Sequence, residues 1–445
     1  MRHCITTTSL IIATLFITAA PLRADLTEYV QKKDASYDVK FLANHDIGAT
    51  KIISAQLTSQ TWRGNTWTHW LSIIVPGKIL HPGKAVLHIT GGSTNSKQPD
   101  TSTGTAKAMM AIADQLGAVV VIVQQVPNQP LFGGKYEDAL IALTFAKFLE
   151  TQEEDWPLLL PMVKSAVRAM DATQALAKDR LNLDIKEFIL NGASKRGWTT
   201  WLTGAIDKRV IAIAPMVIDV LNFDPQLEHQ RKSYGRLSEE VKDYSELKLD
   251  EALKTERGKK LAQLVDPYSY LDKLTIPKLV LLGTNDPYWT VDASSFYFPA
   301  LKGSKHIYYE PNTGHGLGAG IYPTVIAFFD ASMRGQTLPA VTWKKTGKGE
   351  LQVTWDAQGQ NKLAAATLWQ ATAPRRDFRQ AKWKSTQLDG EGSATVKVEE
   401  PKEGWTAFYV SVRFPYERGL PFAVSTEMSV IPETFEHDGA LPGKK

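Results

Sequence analysis

Residues 189–202 read ILNGASKRGWTTWL, and the order of textures inside this run decides what surrounds it. Ile189 and Leu190 close a short apolar stretch, Gly192 and Ala193 are small, Ser194 follows, and a helical pattern begins at once. A serine on a strained strand-to-helix turn has its hydroxyl lifted above the sheet, with the positive end of the helix aimed at it; this is a nucleophile elbow. Small neighbours are needed because strand and helix pass close together. The usual spacing puts glycine two residues before and two after the serine. Here Gly192 keeps the first position, Arg196 stands in the second, and glycine comes one later at Gly197. A serine that merely caps a helix is the plain alternative, so the partners of Ser194 must decide.

Outward from this run, residues 85–90 (AVLHIT), 118–123 (AVVVIV), 187–192 (EFILNG), 210–214 (VIAIA) and 278–283 (KLVLLG) are short, apolar and largely β-branched. Strands buried on both faces of a parallel sheet have this texture. Between them Met109, Met110, Ala113 and Leu116, and then Met162, Val163, Ala166, Val167 and Met170, recur at helical spacing. Strands alternating with amphipathic helices imply right-handed crossovers and a doubly wound, mostly parallel α/β sheet, whose sites lie beyond the carboxyl ends of the strands.

A serine hydroxyl needs a histidine base, itself oriented by a carboxylate, and in α/β-hydrolases the three occur in the order Ser, Asp, His. The strand at 278–283 runs into a turn bearing Asp286, and residues 307–316 (IYYEPNTGHG) end in a glycine-flanked loop carrying His315. Asp292 is the fallback acid, and Asp219, at the end of an earlier strand, a weaker alternative. Acyl transfer also needs donors for a developing oxyanion. The backbone N–H of Lys195 is one candidate. The second falls to Gly92 or Ser93 in HITGGS (88–93), which resembles a glycine-rich oxyanion loop but also reads as an ordinary tight turn. His45, His69, His81, His88, His229, His306 and His437 show no metal-ligand spacing, and no GxGxxG follows a strand. Neither a metal nor any other cofactor is expected.

Residues 226–257 interrupt the alternation with charge (RLSEEVKDYSELKLDEALKTER lies within them). They read as a solvated helical insertion, spanning about 219–266, with a lid over the pocket as the other possibility in this topology. After Gln336 the texture becomes short alternating strands separated by Gly, Pro, Asp and Asn, as in a small antiparallel β-sandwich over 337–445. Trp343, Trp355, Trp369, Trp383 and Trp405 lie there. Core packing is the expectation for them, and a carbohydrate-binding face the alternative.

The N-terminal 24 residues combine Arg2 and His3, an apolar stretch from Leu10 to Ala20, and small residues at Ala19, Ala20 and Ala24, as an export signal does. Residues 25–336 would then be the hydrolase-like domain of a periplasmic or secreted protein. Cleavage after Ala24 removes Arg2, Arg23 and Cys4, the single cysteine, lowering the formal charge from +4 to +2 and leaving a chain without disulfides. No cluster of Lys and Arg supports nucleic-acid binding, and no stable membrane insertion is expected once the signal is gone.

GASKRGWTTWL at the elbow, QVPNQPL (125–131), EDALIA (137–142), WPLLLPMVKSAVRAMDA (156–172) and LTSQTWRG (57–64) together resemble the PhoPQ-activated pathogenicity-related proteins. The resemblance covers roughly 26–334. It implies an exported α/β-hydrolase fold, with Ser194, Asp286 and His315 at the positions of nucleophile, acid and base. It names no established substrate, and a eukaryotic relative in that family is described as a secreted repressor of proliferation. The elbow alone is also similar to the GCSRxG of glucuronoyl esterases, in which a basic residue after the serine helps hold the oxyanion; Lys195 stands there, with alanine in place of the cysteine. Two expectations follow. One is an exported serine hydrolase, esterase or peptidase in type, acting on a small-molecule or peptide ester or amide. The other is a non-catalytic binding or signalling protein that keeps the fold.

Overall fold

The computed structural model describes residues 25–100, 104–356 and 364–437. The export segment and Cys4 lie outside the described residues. Strands β1 (Asp38–Ile47), β2 (Thr50–Trp62), β3 (Asn65–Val75), β4 (Lys84–Ile89), β5 (Val119–Val123), β6 (Glu187–Ala193), β7 (Val210–Met216), β8 (Lys278–Gly283) and β9 (Lys305–Glu310) form one sheet. Its spatial order is β1-β2-β3-β5-β4-β6-β7-β8-β9. From β5 across to β9 neighbours run parallel, while β1, β2, β3 and the contact of β3 with β5 are antiparallel.

The antiparallel meander is a feature that the sequence reading lacked. Its strands mix apolar residues with Thr, Ser and Gln, because each lies in part on an edge rather than inside a parallel stack. The β2–β3 turn is made by Arg63 and Gly64 with φ of 50° and 75°. Paired positive values of this kind define the tight hairpin turn whose twist matches that of the strands.

Alternation along the parallel strands sends side chains to two separate cores. Val119, Val121, Val123, Phe188 and Leu190 face one side, with the helices α1 (Leu26–Gln31), α4 (Leu159–Leu181) and α5 (Lys195–Ile206). Val120, Ile122 and Ile189 face the other, against α2 (Gly104–Leu116) and α10 (Tyr322–Arg334). Helix α3 (Glu137–Thr151) lies between β5 and the elbow. The insertion between β7 and β8 contains α6 (Phe223–Tyr234), α7 (Lys242–Glu246), α8 (Leu249–Ala252) and α9 (Glu256–Val265). Helix α10 stops at Gly335, whose φ of 66° gives the left-handed cap that ends helices.

Beyond it the strands are antiparallel and form two sheets. One comprises β10 (Ala340–Gly347), β11 (Glu350–Asp356) and β14 (Ser393–Lys397), and the other β12 (Ala365–Ala373), β13 (Lys384–Leu388), β15 (Trp405–Pro415) and β16 (Pro421–Ser425), with β17 (Ser429–Ile431) pairing to β15. The stretch 422–430 is divided between β16 and β17.

These sheets share their apolar interior with the α/β half. Tyr409 meets Tyr309 at 5.3 Å between ring centroids, and Trp383 meets Tyr409 at 5.6 Å. Trp355 and Trp383 are buried, Trp343, Trp369 and Trp405 half-buried, and none of the five is among the exposed large apolar side chains. Among the described residues no helix is long and apolar enough to cross a membrane.

Candidate active site

Strand β6 delivers Ser194 into a conformation that an L-residue adopts only under constraint, with φ 58° and ψ −125°. The constraint comes from both sides: the Ser194 N–H donates to Met216 O at 2.9 Å, and its carbonyl accepts from the Trp198 N–H at 3.0 Å. The two glycines are explained by proximity. A Cβ on Gly192 would stand 2.7 Å from Arg196 O, and one on Gly197 would stand 2.9 Å from Met216 O and 2.8 Å from Ile218 Cγ2.

Arg196, the residue that breaks the expected spacing, turns away from the helix. Its Nη1 and Nη2 donate to Glu137 Oε2 and Oε1 at 2.7 and 2.6 Å, and its Nε donates to Val126 O at 2.5 Å. Burial alone would raise the Glu137 pKa, but the arginine's hydrogen bonds and charge outweigh it and hold this carboxyl below its ordinary value. The guanidinium lies against Gly91, where any Cβ would collide with it.

Loops after β8 and β9 bring the next two residues across the end of β6. A Cβ on Gly283 would run into Gly314 O, so the histidine loop passes directly over the end of β8. His315 Nε2 is 2.9 Å from Ser194 Oγ, and His315 Nδ1 is 2.8 Å from Asp286 Oδ2 and 3.1 Å from Oδ1. Asp286 is buried and also accepts from the Tyr288 N–H at 3.0 Å. The Tyr288 ring lies on the imidazole at 4.2 Å between centroids, inclined by 30°.

The other two acids are engaged elsewhere. Asp292 bonds Arg376 Nη2 at 2.7 Å and His229 Nε2 at 2.8 Å. Asp219 is buried, with Oδ1 lacking a hydrogen-bond partner among the described residues.

The parallel register of Ile89 with Gly192 sets the loop after β4 beside the elbow. Gln125 Nε2 donates to Ser93 O at 2.9 Å and Gln129 Nε2 to Gly92 O at 3.2 Å, which fixes the loop's carbonyls. The Ser93 N–H is already given to Ser96 Oγ at 3.1 Å. Gly92 has φ 139°, so it occupies backbone space that a larger residue would enter only under strain.

The Lys195 ammonium is drawn to Asp138 Oδ2 at 2.5 Å. Asp138 also accepts from the Tyr244 hydroxyl at 2.8 Å and the Tyr288 hydroxyl at 3.2 Å. Glu137, Asp138, Tyr244 and Tyr288 surround the site without having been singled out from the sequence. Only the paired acids that open α3, four residues before an amphipathic stretch, offered a signal, and a solvated helix start looks the same.

Above Ser194 and His315 lies a pocket with a cavity of about 90 Å³. Its walls come from α3, α5 and the insertion, among them Phe145, Trp198, Phe223, Val241 and Leu253. The expectation of a merely solvated insertion is corrected here: many of its charges face water, but Phe223, Val241, Leu249 and Leu253 line the pocket over the serine. Asp266 anchors the insertion's root, accepting from the N–H groups of Asn222 and Phe223 at 3.1 Å. Burial pushes this carboxyl up to about 7 despite those bonds. Among the described residues no group of three or more metal-ligating side chains converges.

A family model described as PhoPQ-activated pathogenicity-related protein matches residues 26–379, beyond the reach of the motifs quoted above and far enough to include Arg376. The chain is 30% identical to Autocrine proliferation repressor protein A of Dictyostelium discoideum over 470 residues, covering 96% of this chain and 94% of that protein. Among solved structures it is similar to an acetyl xylan esterase from Paenibacillus sp. R4, with a TM-score of 0.50, 12% identity, and coverage of 70% of this chain and 92% of the other. That likeness carries the fold, which is the α/β-hydrolase fold with antiparallel sheets added at the C-terminal end.

Proposed function

The chain belongs to the family of PhoPQ-activated pathogenicity-related proteins, and on that premise we propose that it is an exported serine hydrolase acting on an ester or amide bond. The observation that carries the reading is the unbroken hydrogen-bonded series from Asp286 through His315 to Ser194, at 2.8 and 2.9 Å. Ser194 Oγ attacks the carbonyl carbon while His315 Nε2 takes its proton and then gives it to the leaving group. Asp286 holds the Nδ1–H and stabilises the imidazolium. The backbone N–H groups of Lys195 and Gly92 receive the oxyanion; Ser93 is the poorer choice, since its N–H is given to Ser96. Water then releases the acyl group by the same route in reverse. Export rests on the sequence of residues 1–24.

The strained serine supports the same reading, because a conformation costing about 1–3 kcal/mol is expected where it positions a reacting atom. A fluorophosphonate probe tests it. The mature protein is expected to label stoichiometrically and Ser194→Ala not at all. Absence of labelling, in conditions where a control serine hydrolase labels fully, would overturn the reading. The name of the Dictyostelium relative, a proliferation repressor, favours the second possibility of a non-catalytic signalling protein, and that same negative result would move the balance to it.

A further inference from the structure

We propose that the substrate is an uncharged ester whose medium-length aliphatic or aromatic acyl moiety fills the pocket beneath the insertion; this rests on the serine-hydrolase reading. Two observations carry it. The pocket opens at Ser194 and His315, and its walls are mostly apolar: Phe145 from α3, Trp198 from α5, Phe223 from α6, and Val241, Leu249 and Leu253 from the rest of the insertion. Trp198 presents its ring rather than its N–H, which donates to Val265 O at 2.5 Å, and packs edge-on against Phe145 and Phe223.

The second observation concerns charge. Lys195 and Asp138, the charged pair at the pocket's mouth, neutralise each other at 2.5 Å, and both nearby tyrosine hydroxyls are spent on the same carboxylate. Asp250, deeper in the wall, is paired with Arg231. No ionic group in this lining is therefore left to compensate a charged ligand, and burying an uncompensated charge there would be prohibitive. The cavity of about 90 Å³ is several times the roughly 10–15 Å³ that a single water needs, so it has room for more than an acetyl group. The same pairing removes the Lys195 side chain as a receptor for a sugar acid, since its ammonium is already bound.

The test is a chain-length series of p-nitrophenyl esters on the mature protein, alongside fluorophosphonate titration of active sites. From acetate to octanoate, kcat/KM is expected to rise about fourfold per methylene, the factor that burying one methylene supplies. An ester of octanoate's length ending in a carboxylate should lose that gain. Val241→Trp, which fills the pocket, should lower the octanoate-to-acetate ratio of kcat/KM at least about tenfold, a change that mere loss of folded protein would not produce.

A flat or falling series with full titration of Ser194 would overturn the proposal while leaving the hydrolase reading intact. Should titration fail, quenching of tryptophan fluorescence by the same esters on the unreacted protein separates the two ideas. Affinity rising with chain length keeps the pocket's ligand class and discards the chemistry, and affinity independent of chain length discards both.

Discussion

Asp219 and Asp292 are both buried beyond the ends of adjacent strands, β7 and β8, yet their protons are held in opposite ways. Burial alone would raise the Asp292 pKa, but the guanidinium of Arg376 and the imidazole of His229 outweigh it, and the carboxyl is held far below its ordinary value. Asp219 has no such cation. Burial first, and then the charges of Asp286, Asp292 and Glu427, push it up to about 8, with the Tyr297 hydroxyl only tempering the rise. A buried acid is ionised or neutral according to its partner, not its depth. The two regions accordingly do different work. Around Asp292 an ion cluster fastens α6 of the insertion, through His229 and Ser233, to Arg376 from the loop after β12. Around Asp219 a neutral carboxyl keeps a second negative charge away from Asp286 and His315.

The comparison can be broken most forcefully at Arg376. Arg376→Ala leaves Asp292 buried without its strongest partner and is expected to cost about 3–5 kcal/mol in urea unfolding. Pairing it with Asp292→Asn should recover part of that loss, and a double variant no better than the single would mean that packing under Phe435, 4.6 Å from the guanidinium, carries the effect instead.

An effect smaller at each pH step is expected at Asp219, and it accumulates with pH. The native state keeps a proton up to about 8 that the unfolded chain releases near the ordinary carboxyl value of 3.8. Between those values the unfolded state binds fewer protons, so this group's contribution to stability falls as pH rises, by at most about 1.4 kcal/mol per pH unit. Unfolding free energies of the natural protein and Asp219→Asn, measured at intervals from pH 4 to 8, should diverge steadily in favour of the variant. Parallel curves would mean that Asp219 is ionised. Least affected should be Tyr297→Phe: the hydroxyl is close enough to Asp219 to lower its pKa but makes no hydrogen bond of full geometry among the described residues, and its loss is expected to cost under about 1 kcal/mol in the same assay.

Ser194, Asp286 and His315 were legible because each follows a buried strand in chain order, and strand ends are where this topology exposes chemistry. The sequence favours Asp286, with Asp292 and Asp219 as alternatives near strand ends, but the reason it lies 2.8 Å from His315 was not legible there: the His315 loop packs over Gly283 at the end of β8. The pocket was hidden by its own composition. Val241 ends a three-residue 3-10 turn and Leu249 and Leu253 bracket the single turn of α8, so no apolar period runs long enough to show, and the intervening charges dominate the reading. Arg376 could not be linked to Asp292 at all, since the two are separated by 84 positions and a change of sheet. The meander of β1 to β3 escaped because its edge strands lack the continuous apolar run that marks a parallel core.

The brace between Gly91, Glu137 and Arg196 bears on how relatives of this chain are to be recognised. A search pattern demanding glycine two places after the serine discards this protein, although its elbow is intact. The three braced positions act as one unit: a side chain at 91 would displace the guanidinium, and loss of the arginine would leave the half-buried Glu137 with only Lys195, 3.9 Å away, as a nearby cation. In this chain the elbow is therefore defined by a glycine, an acid and a basic residue spread over more than 100 positions, and not by the residues next to the serine alone.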